Sequence, residues 1–139
     1  MTATTAAHQP QPTEGELAIL RVLWARTEPA TVRDVHEALS QHKNTAYTTV
    51  LKMLTIMADK GLVHRDESER SHRYEAAYSE PAVESSMLKS FLKNAFSGSA
   101  SKLMLRAIDD GAVSAEDLDE ISRLIKAARA GKNPGGGGR

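Results

Sequence analysis

The sequence predicts a mainly α fold: a winged helix-turn-helix with a small β-hairpin wing, plus a C-terminal three-helix dimerisation domain. Three observations predict it. Between Thr31 and Tyr74, two short helical patterns are separated by a polar turn and followed by two charged strands. Hydrophobic residues make up 40% of the 139 residues but only six are aromatic, a composition that suits packed helices better than a β-sandwich. After Pro81, apolar residues recur at helical spacing only. The expected organisation is 13–80 for the winged helix and 81–130 for the helical domain. A polar leader over 1–12 and a Gly-rich tail over 131–139 are expected to be disordered.

The first helix opens at Thr13, with Glu16 three residues later in the capping-box pattern. Leu17, Leu20, Leu23 and Trp24 follow one helical face, and Arg26-Thr27-Glu28-Pro29 ends the run. Trp24 reads as core rather than as a stacking platform. The second helix takes Thr31 as its cap, with Asp34 in the first turn favouring the dipole, and runs to about Ser40. Its inner face is Val32, Val35, Ala38 and Leu39. The turn Gln41-His42-Lys43-Asn44 leads to a third helix capped by Thr45 or Asn44. There Val50, Met53, Leu54 and Met57 point inward, and Gly61 stops the helix. The two methionines read as core fillers rather than as a metal-binding pair.

Strands over 62–65 and 72–76 flank a tip of alternating charge, Asp66 to Arg70. Leu62, Val63 and Tyr74 are expected on the core side, with Arg65, Arg70, His72 and Arg73 projecting. Three amphipathic helices follow. Their stripes are Met87, Leu88, Phe91, Leu92, Ala95 and Phe96; then Leu103, Met104, Ala107 and Ile108; then Leu118, Ile121, Leu124 and Ile125, capped at Ser114. Three such faces exceed what a small winged helix can cover, so a second copy is expected to cover them. The residues assigned to that seam are Leu88, Phe91, Leu92, Phe96, Leu103, Met104, Leu118, Ile121, Leu124 and Ile125.

Composition excludes several function classes. The chain has no cysteine, which removes disulfides, thiolate metal sites and cysteine nucleophiles and suits a cytoplasmic location. No apolar stretch has the length of a membrane span. Nucleophile-elbow, phosphate-loop and His-Glu-x-x-His patterns are missing, so no enzyme and no cofactor are expected. His36 and His42 are six apart, and His64 and His72 bracket the wing; neither pair has the i, i+4 spacing of a preformed metal site.

What remains is recognition of a macromolecule. Eighteen basic and eighteen acidic residues cancel. From Arg33 to Arg73, seven basic side chains face six acidic ones, so any contact with phosphate must come from geometry rather than bulk charge. The third helix offers that geometry, since the N-terminal turns of the second helix of such a motif meet base edges in the major groove. Tyr47, Thr48, Thr49 and Lys52 occupy those turns, with hydroxyls and an ammonium that bond to bases or phosphates. Arg65, Arg70 and Arg73 on the sides of the hairpin would reach the adjacent backbone. Double-stranded DNA is thus the expected partner, and a winged-helix protein-interaction module is the alternative.

The residues also resemble a known family. Glu16-Leu17-Ala18-Ile19-Leu20-Arg21-Val22-Leu23-Trp24 looks like the opening helix of the BlaI/MecI/CopY penicillinase repressors. Thr31-Val32-Arg33-Asp34-Val35, Ala46-Tyr47-Thr48-Thr49-Val50, Lys60-Gly61-Leu62-Val63 and His72-Arg73-Tyr74 match that family in order and spacing, as does the helix around Ser114 to Ile125. The resemblance implies a homodimeric repressor of inverted-repeat operators before β-lactamase or related genes. It carries DNA contact to Thr48, Thr49, Lys52 and Arg73. It also implies inactivation through a membrane-bound sensor metalloprotease of the BlaR/MecR type. Three departures stand out. The CopY cysteine cluster is missing, Arg106-Ala107 aligns with the Asn–Phe bond cut in relatives, and Ile56 replaces an arginine common late in the third helix.

Overall fold

The computed structural model describes residues 10–131. Most of the expected leader and tail, 1–9 and 132–139, lie outside the described residues. In chain order the elements are α1 (Glu14–Trp24), β1 (Ala30–Thr31), α2 (Val32–Ser40), α3 (Tyr47–Lys60), β2 (Val63–Asp66), β3 (Arg73–Ala76), α4 (Glu80–Phe96), α5 (Ala100–Asp109) and α6 (Ala115–Arg129). This is the mainly α winged-helix arrangement that the sequence predicts, with three helices after it. The chain divides into two compact units between Ser90 and Phe91, within α4. No helix among the described residues is long and apolar enough to cross a membrane.

In the first unit, both expected helix starts are capping boxes. The Glu16 amide donates to Thr13 Oγ1 at 3.2 Å and the Thr13 amide to Glu16 Oε1 at 3.0 Å. Thr31 and Asp34 repeat the exchange at 3.1 and 3.0 Å, two otherwise orphaned amides satisfied at each helix start. The Thr31 amide, first among its neighbours, holds the Asp34 carboxyl below its ordinary range.

The inner face of α1 differs in phase from the sequence reading. Ile19, Leu20 and Leu23 are buried, whereas Leu17 and Trp24 lie half-buried at the core margin. α1 packs chiefly on α2 and β3, and Ile19, Leu20 and Leu23 fill that contact; Glu16, itself buried, pairs with Lys60, whose Nζ reaches its Oε1 at 2.7 Å. Trp24 packs on the core edge and its indole N–H donates to the Tyr78 carbonyl at 2.9 Å.

The wing belongs to a three-stranded antiparallel sheet in the order β1-β3-β2. Ala30 pairs with Tyr74 and Thr31 with Arg73, while Val63 pairs with Ala76 and Arg65 with Tyr74. A two-residue strand such as β1 has no periodicity to betray it, so the sequence shows only the hairpin. The core gathers Val35 from α2, Val50, Leu54 and Met57 from α3, and Leu62, Val63 and Tyr74 from the hairpin. Gly61 closes α3 at φ 85°, a left-handed position that an L side chain resists, and the Leu62 amide returns to the Met57 carbonyl at 2.9 Å.

In the second unit, Ser99 caps α5 and Ser114 caps α6, their hydroxyls accepting from Lys102 and Asp117 amides at 3.1 and 3.0 Å. Phe91 and Phe96 meet edge to face with centroids 5.6 Å apart. Neither α5 nor α6 buries a side chain.

Candidate nucleic-acid interface

The candidate recognition face is built by α2, the turn that follows it, and α3. Val35 anchors α2 in the core, while Val50, Leu54 and Met57 do the same for α3. Their helical spacing leaves the opposite side of α3 in solvent. Tyr47, Thr48, Thr49 and Lys52 all lie exposed in its first two turns, Thr48 and Lys52 opposite the buried face and Tyr47 and Thr49 on its two flanks. Among the described residues Lys52 makes no ion pair, so its ammonium is available to an external anion.

The start of α3 differs from the expectation. Its N-cap is Ala46, and no side chain caps the helix. Thr45 does not serve because its hydroxyl turns back to the Lys43 carbonyl at 3.4 Å. His36 of α2 holds this corner instead. Its Nε2 lies 2.9 Å from the Thr45 carbonyl oxygen, and its ring meets Tyr47 edge to face at 5.7 Å. A carbonyl accepts only, so Nε2 carries the proton. The result is a helix whose first amides are left without a side-chain partner, next to two threonines. Such an N-terminus attracts anions through its dipole.

The basic groups of the wing are less free than the sequence suggests. Arg65 Nε donates to Glu67 Oε2 at 2.7 Å, and Tyr74 and Glu67 both favour its charged form. Arg73 Nε lies 3.6 Å from Glu69. Arg70 is exposed and has no ion pair among the described residues. At the tip, the Ser68 amide donates to Asp66 Oδ1 at 2.9 Å and holds that carboxyl below its ordinary range. The acidic residues of the tip thus neutralise two of the three arginines, leaving Arg70 as the best-placed wing cation.

Three further side chains of α3 lie outside the expected set: Leu51 and Ile56, which are exposed, and Thr55, which is half-buried. Leu51 and Ile56 are each 42% exposed, and the Thr55 hydroxyl donates to the Leu51 carbonyl at 2.9 Å. The signal was available, since Leu51 follows Tyr47 by one helical turn.

The residues of the C-terminal helices expected to form a dimer seam are exposed or half-buried. Phe91 and Ile125 are each 51% exposed, Leu88 49% and Leu124 42%. Met104 and Leu118 are exposed as well, and Leu92, Phe96, Leu103 and Ile121 are half-buried. Arg106 and Ala107 lie inside α5, with Arg106 NH1 3.5 Å from Asp110. No group of three or more metal-ligating side chains gathers among the described residues.

The chain is similar to known proteins over most of its length. The model of the penicillinase repressor family matches residues 12–127. Transcriptional regulator BlaI of Mycobacterium tuberculosis (strain CDC 1551 / Oshkosh) is 36% identical over 117 residues, 84% of this chain and 83% of that protein. Methicillin resistance regulatory protein MecI of Staphylococcus aureus (strain N315) is 17% identical over 110 residues, 79% and 89% of the two chains. A solution structure of monomeric Bacillus licheniformis BlaI in complex with the blaP half-operator covers 52% of this chain and 88% of that one, with TM-score 0.46 and 23% identity. With the family match spanning both the winged helix and the helices that follow it, this chain belongs to the penicillinase repressor family.

Proposed function

We propose that this chain is a homodimeric transcriptional repressor that reads an inverted-repeat operator with α3 and touches the flanking backbone with its wing. Membership of a repressor family across residues 12–127 is the observation that carries this reading. The geometry of α3 supports it. Tyr47, Thr48, Thr49 and Lys52 are exposed on the turns that enter a major groove, on a helix start without a side-chain cap. Arg70, and behind it Arg65 and Arg73, contact the adjoining phosphates. Dimerisation is supported by the apolar faces of α4, α5 and α6, which a single copy leaves open and a two-fold partner would cover. Two half-sites read by two copies then make the operator an inverted repeat.

Family membership makes β-lactamase and related stress genes the first targets to test, with a sensor metalloprotease of the BlaR/MecR type as the route of relief. The aligned bond, Arg106-Ala107, lies inside α5, and a protease needs an extended segment. Relief at that bond therefore requires α5 to open first.

The test is selection of bound sequences from a random duplex pool by the full-length protein at moderate salt. Recovery of an inverted repeat, with affinity falling steeply as salt rises, is the expected result. A pool without enrichment, and binding indifferent to salt, would sink this reading in favour of a protein-interaction module.

A further inference from the structure

The outward face of α3 carries just one of the side chains that usually read purines, Lys52. Guanine is read by arginine or lysine and adenine by asparagine or glutamine, each through two parallel hydrogen bonds. From Tyr47 to Lys60 there is no arginine, asparagine or glutamine, and Lys52 is the only cation in the first two turns. In their place the helix offers apolar surface. Leu51, one turn beyond Tyr47 and next to Lys52, is 42% exposed. Thr55, one turn further on, has its hydroxyl tied to the Leu51 carbonyl at 2.9 Å, so its donor is spent inside the helix. A leucine on a surface that meets water alone gains nothing. On a surface that enters a major groove it meets the one apolar group that base pairs present there, the 5-methyl of thymine.

We infer that Leu51 is a specificity-determining residue that packs on a thymine methyl group in each half-site, and that operator choice by this repressor is read partly as methyl groups. The inference rests on the DNA-reading function proposed above and names the chemistry of its target. Lys52 and the Thr48 hydroxyl supply the polar half of the contact, and Leu51 supplies the half that distinguishes a T·A pair from its alternatives. Its continuity with Thr48 and Lys52, within the same two turns, favours DNA over a protein as the group that covers it.

The experiment uses the full-length protein and the duplex recovered from the random pool. Each thymine of one half-site is replaced singly by deoxyuridine, which removes the 5-methyl and nothing else. Wild type, Leu51→Ala and Leu51→Met are then titrated against every duplex. At one or more positions, wild type is expected to lose about fourfold in affinity, the worth of one buried methyl group. Leu51→Met should keep that loss and Leu51→Ala should abolish it, binding thymine and deoxyuridine duplexes alike. Because Leu51 is exposed, its truncation leaves the core intact, and circular dichroism of each variant verifies this. A scan with no loss at any thymine would overturn methyl reading while leaving DNA recognition in place. An equal loss in wild type and Leu51→Ala would assign the methyl to another side chain. If the pool yields no enriched duplex, the repressor reading itself fails and this inference falls with it.

Discussion

His36 Nε2 of α2 lies 2.9 Å from the carbonyl oxygen of Thr45, two residues before α3 begins. That contact, with the His36 ring against Tyr47, joins the two helices of the motif where no side-chain cap does. The direction of α3 as it leaves the turn therefore depends on a histidine of the preceding helix.

His36→Ala is expected to loosen this corner and weaken operator binding about fivefold, the worth of one net hydrogen bond of roughly 1 kcal/mol. His36→Gln, whose amide N–H reaches a similar point, should recover part of the loss. Fluorescence anisotropy with the selected duplex measures both. Equal affinity for wild type and His36→Ala would show that the turn holds its shape without the histidine.

Lys52→Ala is expected to weaken binding to the selected duplex and to an unrelated duplex by similar factors. The slope of log affinity against log salt should flatten by about one unit, as for the loss of one phosphate contact. Loss confined to the selected duplex would instead move Lys52 from the backbone to a base edge. An unchanged slope and affinity would remove it from the interface.

Lys60→Ala should destabilise the winged helix by about 1–2 kcal/mol, because the buried Glu16 carboxylate loses its ammonium partner while Lys60 was itself partly open to solvent. Chemical denaturation measures it. The pH dependence follows from the same pair. Burial pushes the Glu16 carboxyl up, but Lys60 and the Thr13 cap outweigh it and leave the group below its ordinary range. Its folded value is thus lower than its unfolded one. The stabilisation is complete above the ordinary glutamate range and disappears as pH falls through the depressed value. In Lys60→Ala the burial effect is less opposed, so the midpoint of unfolding should vary less over that acid window. A variant with the same acid limb as wild type would place the pH dependence elsewhere.

Phe91→Asp is expected to separate the proposed dimer, because an unpaired carboxylate would be carried into its apolar seam at a cost of several kcal/mol. Sedimentation velocity should show a dimer for wild type and a monomer for the variant at micromolar concentration. A variant that still sediments as a dimer would place the seam away from Phe91.

Local rules made much of this molecule legible. Thr13 with Glu16, Thr31 before Val32, Gly61 after Lys60 and Ser114 before Ala115 each mark a helix end by chemistry confined to a few neighbouring residues. The exposure of Tyr47, Thr48, Thr49 and Lys52 follows from the period of Val50, Leu54 and Met57 on the same helix. Such features need no knowledge of distant partners.

What the tertiary structure alone decided are the features that join residues far apart in the chain. Glu16 keeps its charge in a buried position because Lys60, 44 residues on, comes to meet it, and the packing of α1 on α2 and β3 sets its inner face at Ile19, Leu20 and Leu23. Ala30 and Thr31 form a strand only because β3 lies alongside. Ala46 stands at the N-cap of α3 because Thr45 bonds elsewhere and His36 takes over the corner. Two arginines of the wing are held by acids of its own tip. Periodicity and capping are short-range and can be read along one dimension. The choice among equally allowed partners is made by packing in three.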